Sequence, residues 1–387
     1  MITVLKGLGW DHPRCMAPLL ASAASIADRA DARIEWTSRS LKEFGDGDLA
    51  GPAQHFDLLV FDHPYVGAAA AGGWLVDFGA WLPPSGLESL ETDALGPCLR
   101  SYRVGEQLLG LPIDAAAQVA SYRGDLLARL DSRCPQDRAG LIELAARGRR
   151  EGLWIGIPLV PIDAICTFLT LAAALETPLD FEATEFLSAP SIRLVLDQMH
   201  ELVSLAHPAS LNWNPIMAYD HMVTHDDLMY VPLAFGYTNY SRSTVVRRIS
   251  FTDIPAFGSR GCAGSILGGA GIGVSRLRPN IAQAVQYARA LASPEYQRGE
   301  YTSSGGQPAS ATAWRDARCD TLTNGFFSST RATLEQAYLR PTFDGFIPYF
   351  KAAGERIYSY LTGGASLDTT IEWLRAAYAR ARRKGAP

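Results

Sequence analysis

The tripeptide Asp-His-Pro occurs twice near the start of this chain, as Asp11-His12-Pro13 and as Asp62-His63-Pro64. A histidine beside a carboxylate is the usual equipment for general acid and base chemistry near neutral pH. Cys15 follows the first copy and could act as a nucleophile if its thiolate were stabilised. A metal site of His12, His63 and carboxylates is conceivable, but the spacing is loose, and we expect neither a metal site nor a cofactor.

Each copy of the tripeptide follows an apolar run that predicts a strand. The strands "ITVLKGLGW", "ARIEWTS" and "FDLLVFD" alternate with the helix "PLLASAASIADRA", opened by Pro18, and with the polar segment "SLKEFGDGDLAG". This order is typical of a parallel α/β sheet with crossover helices. Ligands of such sheets bind beyond the carboxyl ends of the strands. We therefore expect one crevice to be lined by Trp10-Asp11-His12-Pro13 and Asp62-His63-Pro64, with the prolines ending the strands.

The later segments continue the α/β pattern. We predict a hairpin around Gly105 in "RVGEQLLGLPID", a separate strand at "AQVASYR", and an aromatic strand region at 227–241. A glycine-rich stretch, "GSRGCAGSILGGAGIGVSR", precedes a helix, and helical segments around 329–340, 347–361 and 367–384 close the chain. With 387 residues, the chain is long enough for two domains.

The composition excludes several classes of partner. A net charge of -5 argues against nucleic acid and anionic membranes as partners, because phosphate binding needs a basic face. The longest apolar window, residues 164–175, is shorter than the roughly 20 residues that a membrane span needs, and it predicts a buried helix. We therefore expect no membrane span.

The cysteines and the N-terminus bear on localisation. The 6 cysteines are scattered without a CxxC pair, which favours thiols in a reducing compartment. The chain as given begins directly on its first strand, and we see no signal peptide in it. The protein is periplasmic if a signal peptide was trimmed, and cytoplasmic if Met1 is the native start.

Four segments in order carry a resemblance to a known family: "LGLPIDAAAQVASYRGDLLARL", "GSILGGAGIGVS", "ALASPEYQRGEYTSSGGQPAS" and "AYLRPTFDGFIPYF". Together they resemble the family 1 extracellular solute-binding proteins of ABC importers, which have the type II periplasmic-binding-protein fold. The resemblance covers nearly the whole chain. It implies two α/β lobes joined by hinge crossings, with a small ligand held in a cleft between them. On this sequence it places lobe 1 at 1–111 and 256–306, lobe 2 at 115–252 and 312–387, and the crossings near 112–114, 253–255 and 307–311.

Several further residues are candidate ligand contacts on lobe 1. Arg14 lies beside a strand end, where a guanidinium could hold a carboxylate or phosphate in bidentate fashion. Its alternative is a surface ion pair. Trp10 and Trp74 offer aromatic rings, and Asp114 lies where a strand would leave one lobe for the other.

Three more candidates, Tyr237, Asn239 and Gly269, come from the second half of the chain. In "FGYTNYS", strand alternation would place Tyr237 and Asn239 on one face and Tyr240 on the other. A ring stacks on a sugar-like ligand while an amide fixes its orientation, although a core role is equally open. Gly269, within "GGAGIG", would let the backbone approach a ligand, and close packing is its alternative.

The leading hypothesis is a solute-binding protein that captures a small polar organic ligand, a carboxylate or a sugar derivative, and hands it to an ABC permease if it is exported. A second is a cytoplasmic enzyme on the same fold, as in thiaminase-like proteins with a cysteine nucleophile. Its catalytic groups would be His12, His63, Asp62 and Cys15. A third is an intracellular ligand sensor. Fold alone does not choose between them, because function belongs to the site.

Overall fold

A computed structural model of the chain describes residues 2–175, 183 and 185–384. These residues form two compact units. Unit 1 comprises Met1–Ala116 and Gly268–Leu322, and unit 2 comprises Ala117–Leu267 and Thr323–Pro387.

Strands and helices alternate along much of the described chain. The strands are β1 Thr3–Trp10, β2 Ala32–Arg39, β3 Leu58–Phe61, β4 Arg103–Val104, β5 Gln107–Leu108, β6 Leu111–Tyr122, β7 Trp154–Ile155, β8 Leu228–Phe235, β9 Ser250–Thr252 and β10 Leu267–Val274. The α-helices are α1 Pro13–Ser25, α2 Leu41–Asp46, α3 Ala50–His55, α4 Val66–Gly72, α5 Pro84–Asp93, α6 Gly124–Arg129, α7 Arg138–Arg150, α8 Pro161–Ala173, α9 Ala189–Leu205, α10 Pro215–Thr224, α11 Ile281–Leu291, α12 Pro294–Tyr296, α13 Ala311–Arg315, α14 Ala317–Leu322, α15 Phe326–Glu335, α16 Phe346–Leu361 and α17 Leu367–Lys384. Within the described residues, none of the helices combines the length and apolarity that a membrane crossing requires.

The sheet of unit 1 has the strand order β2-β1-β3-β10-β6. β1 pairs in parallel with β2 and with β3, as the alternation of strands and helices predicts. β10 returns antiparallel to β3, pairing Gly271 with Phe61. All of β3 is buried, so the sheet has an apolar centre, and the parallel strands β1, β2 and β3 bring their carboxyl ends to one edge.

The helix after β1 begins earlier than predicted. α1 starts at Pro13, and Pro18 lies inside it, so the prediction that Pro18 opens the helix is wrong. Proline is well suited to the first helical position, because its fixed φ is helical and its missing N–H would have no partner there. The buried face of α1 carries Cys15, Leu19 and Ser22.

The middle of the chain is simpler than predicted. β4 and β5 form the expected hairpin around Gly105, which has a φ of 55°. The separate strand predicted at "AQVASYR" is instead the second half of one continuous strand, β6, which is buried from Leu111 to Ser121. Pro112 is tolerated near its start, where its carbonyl accepts a hydrogen bond of 3.1 Å from Gln297.

Unit 2 is built around the apolar helix α8. Eleven of its residues are buried, from Asp163 to Ala173, which confirms the predicted buried helix. The sheet of this unit has the order β6-β8-β7, with β9 also paired to β6. α9 and α16 pack against α8, and their apolar faces join one core.

The boundaries of the two units differ from the predicted lobes. Residues 256–267 were expected in lobe 1 but belong to unit 2, where the Ile266 amide donates to Thr170 Oγ1 of α8 at 3.1 Å. Residues 312–322 were expected in lobe 2 but belong to unit 1, where the Thr312 amide donates to Asp93 Oδ1 at 2.8 Å. The first crossing falls at Ala116–Ala117, after the predicted 112–114. Contacts of each segment with a neighbouring helix set these boundaries.

Candidate functional site

The two Asp-His-Pro copies lie at the ends of adjacent strands of unit 1, as predicted. β1 ends at Trp10 and β3 at Phe61, and the two strands pair directly, Leu8 with Leu59. Each proline then lies in a helix that follows, Pro13 at the start of α1 and Pro64 in the short 3-10 helix His63–Tyr65. The prolines therefore end the strands by starting helices.

His12 is the N-cap of α1. Its Nδ1 accepts a hydrogen bond of 3.1 Å from the Arg14 backbone amide, so a neutral ring carries its proton on Nε2. Burial, helped by the Arg14 charge and opposed by Asp11, lowers the pKa of His12 to about 4. Asp11 itself is exposed. At neutral pH the half-buried His12 is thus an uncharged hydrogen-bonding group.

The second copy is organised differently. His63 is fully buried, and its Nδ1 lies 3.3 Å from Asp62 Oδ1. Its ring meets Tyr102 edge-on, with 6.4 Å between the centroids. The expectation that His63 lines an accessible crevice is wrong for the imidazole, because only 1% of the side chain is exposed. Asp62 keeps 19% of its side chain exposed and is the group that this copy presents.

Arg14 and Asp114 bind each other inside unit 1. Arg14 Nε donates to Asp114 Oδ2 at 2.7 Å, and Nη2 donates to Oδ1. The two side chains are 4% and 0% exposed, so the surface ion pair considered for Arg14 is wrong. The Arg14 guanidinium, which was expected to bind a ligand in bidentate fashion, binds Asp114 instead. We therefore retain neither residue as a ligand contact.

Burial outweighs the Arg14 charge and raises the pKa of Asp114 above its usual value. The buried pair therefore joins α1 to β6 at a desolvation cost.

The remaining unit 1 candidates differ in exposure. Trp10 is 4% exposed, lies 4.7 Å from the Phe44 ring between centroids, and its Nε1 has no hydrogen-bond partner among the described residues. Trp74 is half-buried over Gly72. Trp74 is therefore the more accessible of the two rings.

Gly269 serves close packing. Its φ is 103°, and a Cβ there would come within 2.2 Å of the Asp114 carbonyl oxygen. The backbone that it lets approach is β6 of the same sheet, so the ligand role expected for Gly269 is replaced by its packing alternative.

The proposed nucleophile is also buried. Cys15 is 1% exposed in α1, and burial strongly raises the pKa of its thiol. A protonated, enclosed thiol is a poor nucleophile, which contradicts the catalytic role considered for Cys15.

The unit 2 candidates lie in a turn. β8 ends at Phe235, and Thr238–Tyr240 form a 3-10 turn, so the strand alternation predicted for Tyr237, Asn239 and Tyr240 is wrong. Tyr237 is 8% exposed, and its ring centroid lies 6.4 Å from that of Tyr219.

Asn239 and Tyr240, later in the same turn, have different polar contacts. Tyr240 donates its hydroxyl hydrogen to Asp220 Oδ1 at 2.7 Å. Asn239 is half-buried, and its Oδ1 has no hydrogen-bond partner among the described residues. Asn239 is therefore the polar group of this turn with hydrogen-bonding capacity to spare.

Two buried glutamines that the sequence analysis missed hold the start of β6. Gln297 Nε2 donates to the Pro112 carbonyl at 3.1 Å, while its Oε1 accepts from the amides of Ala309 and Ser310 at 2.8 and 2.9 Å. Gln307 exchanges hydrogen bonds with Ala115, 2.8 Å from its Nε2 and 3.0 Å to its carbonyl. Of the two, Gln307 carries a signal in the sequence, because it lies in the turn-forming segment "SSGGQPAS" that follows a helix.

No family model matches the chain. Solved structures of solute-binding proteins are similar to it over nearly the whole length. The maltose-bound MalE3 of T. maritima has a TM-score of 0.84 at 15% identity, over 99% of both chains. An ABC transporter solute-binding protein from Agrobacterium radiobacter K84, in complex with ribitol, has a TM-score of 0.80 at 18% identity, over 99% of this chain and 98% of that one.

The GacH receptor of Streptomyces glaucescens GLA.O, solved unliganded and with acarbose, has a TM-score of 0.80 at 14% identity over 100% of both chains. These likenesses confirm the predicted α/β class and the type II periplasmic-binding-protein fold. At such identities they bear on the fold alone.

Proposed function

We propose that this protein is a solute-binding protein that captures a small, hydroxyl-rich organic ligand for an ABC importer. The observation that carries the proposal is the fold similarity over the whole chain to binding proteins solved with maltose, ribitol and acarbose. An ABC permease would be the partner of such a protein. Because one fold hosts several functions, the side chains must support the proposal as well.

Each unit offers groups that suit hydroxyl-rich ligands. In unit 1, Asp62 presents a partly exposed carboxylate and His12 a neutral imidazole, each just beyond the end of one of two directly paired strands. In unit 2, Asn239 has an amide oxygen without a partner among the described residues, and it lies in the turn that Tyr237 begins. Hydroxyl groups both donate and accept hydrogen bonds, so carboxylate, imidazole and amide groups can orient them while a ring packs on the C–H face.

The features that would serve catalysis point the other way. Cys15 is buried with its thiol protonated, His63 is enclosed, and the lowered pKa of His12 leaves it a weak base at neutral pH. Binding without chemistry is the simpler use of these groups.

A thermal-unfolding screen tests the proposal. Maltose, ribitol and small carboxylates are added to the full chain, and a ligand present at 100 times its Kd should stabilise the folded state by about 2.7 kcal/mol. Calorimetric titration then gives the Kd of each hit.

Variants connect binding to each unit separately. Asp62→Asn and Asn239→Ala should each weaken binding at least about tenfold, because each leaves a ligand hydroxyl without its partner. Gln136→Ala, which removes an exposed amide of unit 2, is the matched control for Asn239→Ala. Stabilisation by metal ions or nucleotides only, or turnover of the bound ligand, would contradict the proposal.

A further inference from the structure

Two histidines and an aspartate of unit 2 converge at one half-buried point, which we call the His207/His221/Asp227 cluster. One ligand atom from each residue lies within 4.8 Å of the others. His221 Nε2 is 2.7 Å from Asp227 Oδ1, and His207 Nε2 is 3.5 Å from Asp227 Oδ2. We propose that this cluster binds a divalent transition-metal ion of the zinc type. The proposal is independent of the proposed function.

The distances suit such an ion. Ligands at about 2.0 to 2.2 Å from a tetrahedral zinc lie roughly 3.4 Å from one another. The two nitrogen–oxygen separations, 2.7 and 3.5 Å, lie on both sides of this value. Side-chain shifts of about an ångström or less would therefore make room for the ion. Two imidazole nitrogens and a carboxylate oxygen favour zinc and its neighbours over Mg²⁺ and Ca²⁺, which prefer all-oxygen ligands.

The backbone holds the three residues on separate, anchored elements. His207 follows α9, and its amide donates to the Ile155 carbonyl at 2.8 Å. His221 lies in α10, and Asp227 directly precedes β8, where its carbonyl accepts from the Trp154 amide at 2.7 Å. A site on anchored elements loses little conformational entropy when it binds an ion.

Stacked rings orient both histidines. Trp213 stacks on His207 with 4.8 Å between centroids and 11° between planes. His225 stacks on His221 with 4.1 Å and 6°. The ligand side chains still expose 17%, 18% and 38% of their surface, so an ion and its water can reach them.

Two arginines near the cluster pair with carboxylates other than Asp227, and Asp227 pairs with the two histidines. The neighbouring Asp226 forms ion pairs with Arg123, 2.8 Å from Nη2 to Oδ1, and with Arg247, 3.3 Å from Nη2 to Oδ2. Arg123 is also paired with Asp125 at 2.6 Å. These carboxylates match the nearby guanidinium charges, which would otherwise repel a cation.

Metal binding changes the protonation pattern of His207. Its Nδ1 accepts a hydrogen bond of 3.1 Å from the Ala209 amide, so the metal-free neutral ring carries its proton on Nε2. Coordination through Nε2 moves that proton to Nδ1 by exchange with water and breaks the Ala209 contact.

Calorimetric titration of the full, chelator-treated chain with ZnCl₂ tests the proposal. One equivalent should bind, with MgCl₂ and CaCl₂ as comparators that bind far more weakly. Because even the loss of an outer partner of a metal site costs about 10- to 100-fold in affinity, His221→Ala and Asp227→Asn should each lower the Zn²⁺ affinity by about 100-fold. The matched control is His200→Ala, which removes an exposed histidine of α9 in the same unit.

A second measurement separates lost ligands from lost folding. Asp227→Asn keeps the shape of the side chain, and its thermal unfolding in the presence of a chelator should match that of the parent. Co²⁺ should give the parent a visible absorption typical of a four-coordinate ion, which Asp227→Asn loses. The proposal is overturned if the parent binds no Zn²⁺, if His200→Ala lowers the affinity as much as His221→Ala, or if Mg²⁺ and Ca²⁺ compete equally.

Discussion

Breaking the Arg14–Asp114 pair from either side should destabilise unit 1, but with different pH dependence. The side chains are 4% and 0% exposed and share two charge-assisted hydrogen bonds. Each such bond contributes about 1.5 to 3 kcal/mol, and removing one partner of a buried pair costs about 3 to 5 kcal/mol in total. Asp114→Asn should therefore cost about 3 to 5 kcal/mol, because it leaves the Arg14 guanidinium buried without a counterion.

Arg14→Met leaves a buried carboxyl instead. The folded pKa of Asp114 is already raised by burial, and losing Arg14 raises it further. A raised folded pKa means that the folded state holds a proton that the unfolded state releases above about pH 4. The cost of Arg14→Met relative to the parent is therefore smallest near pH 4, and it grows as the pH rises from the folded pKa of Asp114 in the parent toward its higher folded pKa in the variant. The cost of Asp114→Asn should instead fall as the pH rises above about 4, because the parent itself loses stability while Asp114 ionises and the amide of Asn does not titrate.

Urea unfolding followed by tryptophan fluorescence and by circular dichroism measures both costs between pH 4 and 8. Coincident transitions must first establish that one free energy of unfolding applies to a chain with two units. The double variant Arg14→Met/Asp114→Leu should recover most of the loss, because apolar residues replace both charges. A cost below about 1 kcal/mol for Asp114→Asn at pH 7, or a pH-independent cost for Arg14→Met, would refute the reasoning.

Three further predictions concern single positions. Gly269→Ala should lower the free energy of unfolding by about 2 kcal/mol or more, because the new Cβ adds strain at positive φ and a close contact with the Asp114 carbonyl. Gly261→Ala is the control, since its φ is 62° and a Cβ there would meet nothing within 4 Å. It should cost less in the same urea assay. Burial raises the pKa of Asp163 well above its usual value. In thermal unfolding, the parent should therefore lose stability relative to Asp163→Asn as the pH rises above about 4. Parallel plots of stability against pH for the two proteins would contradict this. His12→Ala should lower the free energy of unfolding by about 1 kcal/mol, because it removes the N-cap acceptor of α1. His12→Asn keeps such an acceptor and should cost clearly less. Equal costs for the two variants would contradict the capping role.

Local patterns predicted the elements of the fold well where one physical cause dominated. The buried runs that became β1 and β3, the hairpin at Gly105 and the apolar helix α8 follow from hydrophobic periodicity and turn chemistry. The errors fall where two causes compete. Pro18 and Pro13 both suit a helix start, and only the chain path after β1 selected Pro13.

The candidate site was predictable in position but not in exposure. The Asp-His-Pro copies lie at neighbouring strand ends, as the strand order required. Burial of His63, Cys15 and Arg14 depends on side chains from distant segments, among them Tyr102 and Asp114, and no local pattern contains them. The same holds for the His207/His221/Asp227 cluster, where "HMVTHDD" supplies His221 and Asp227 but the chain adds His207 from a separate turn.

Periodicity and short-range steric rules were enough to predict three features from the sequence. These features are the order of strands and helices, the parallel start of the sheet, and the position of both Asp-His-Pro copies at strand ends. Tertiary structure alone decided which polar groups meet. Arg14 and Asp114 are 100 residues apart, and whether a guanidinium faces a ligand or a buried carboxylate depends on the packing of α1 against β6. Desolvation acts through all neighbours at once, so the protonation of His12, Cys15 and Asp114 also emerges only in the folded unit.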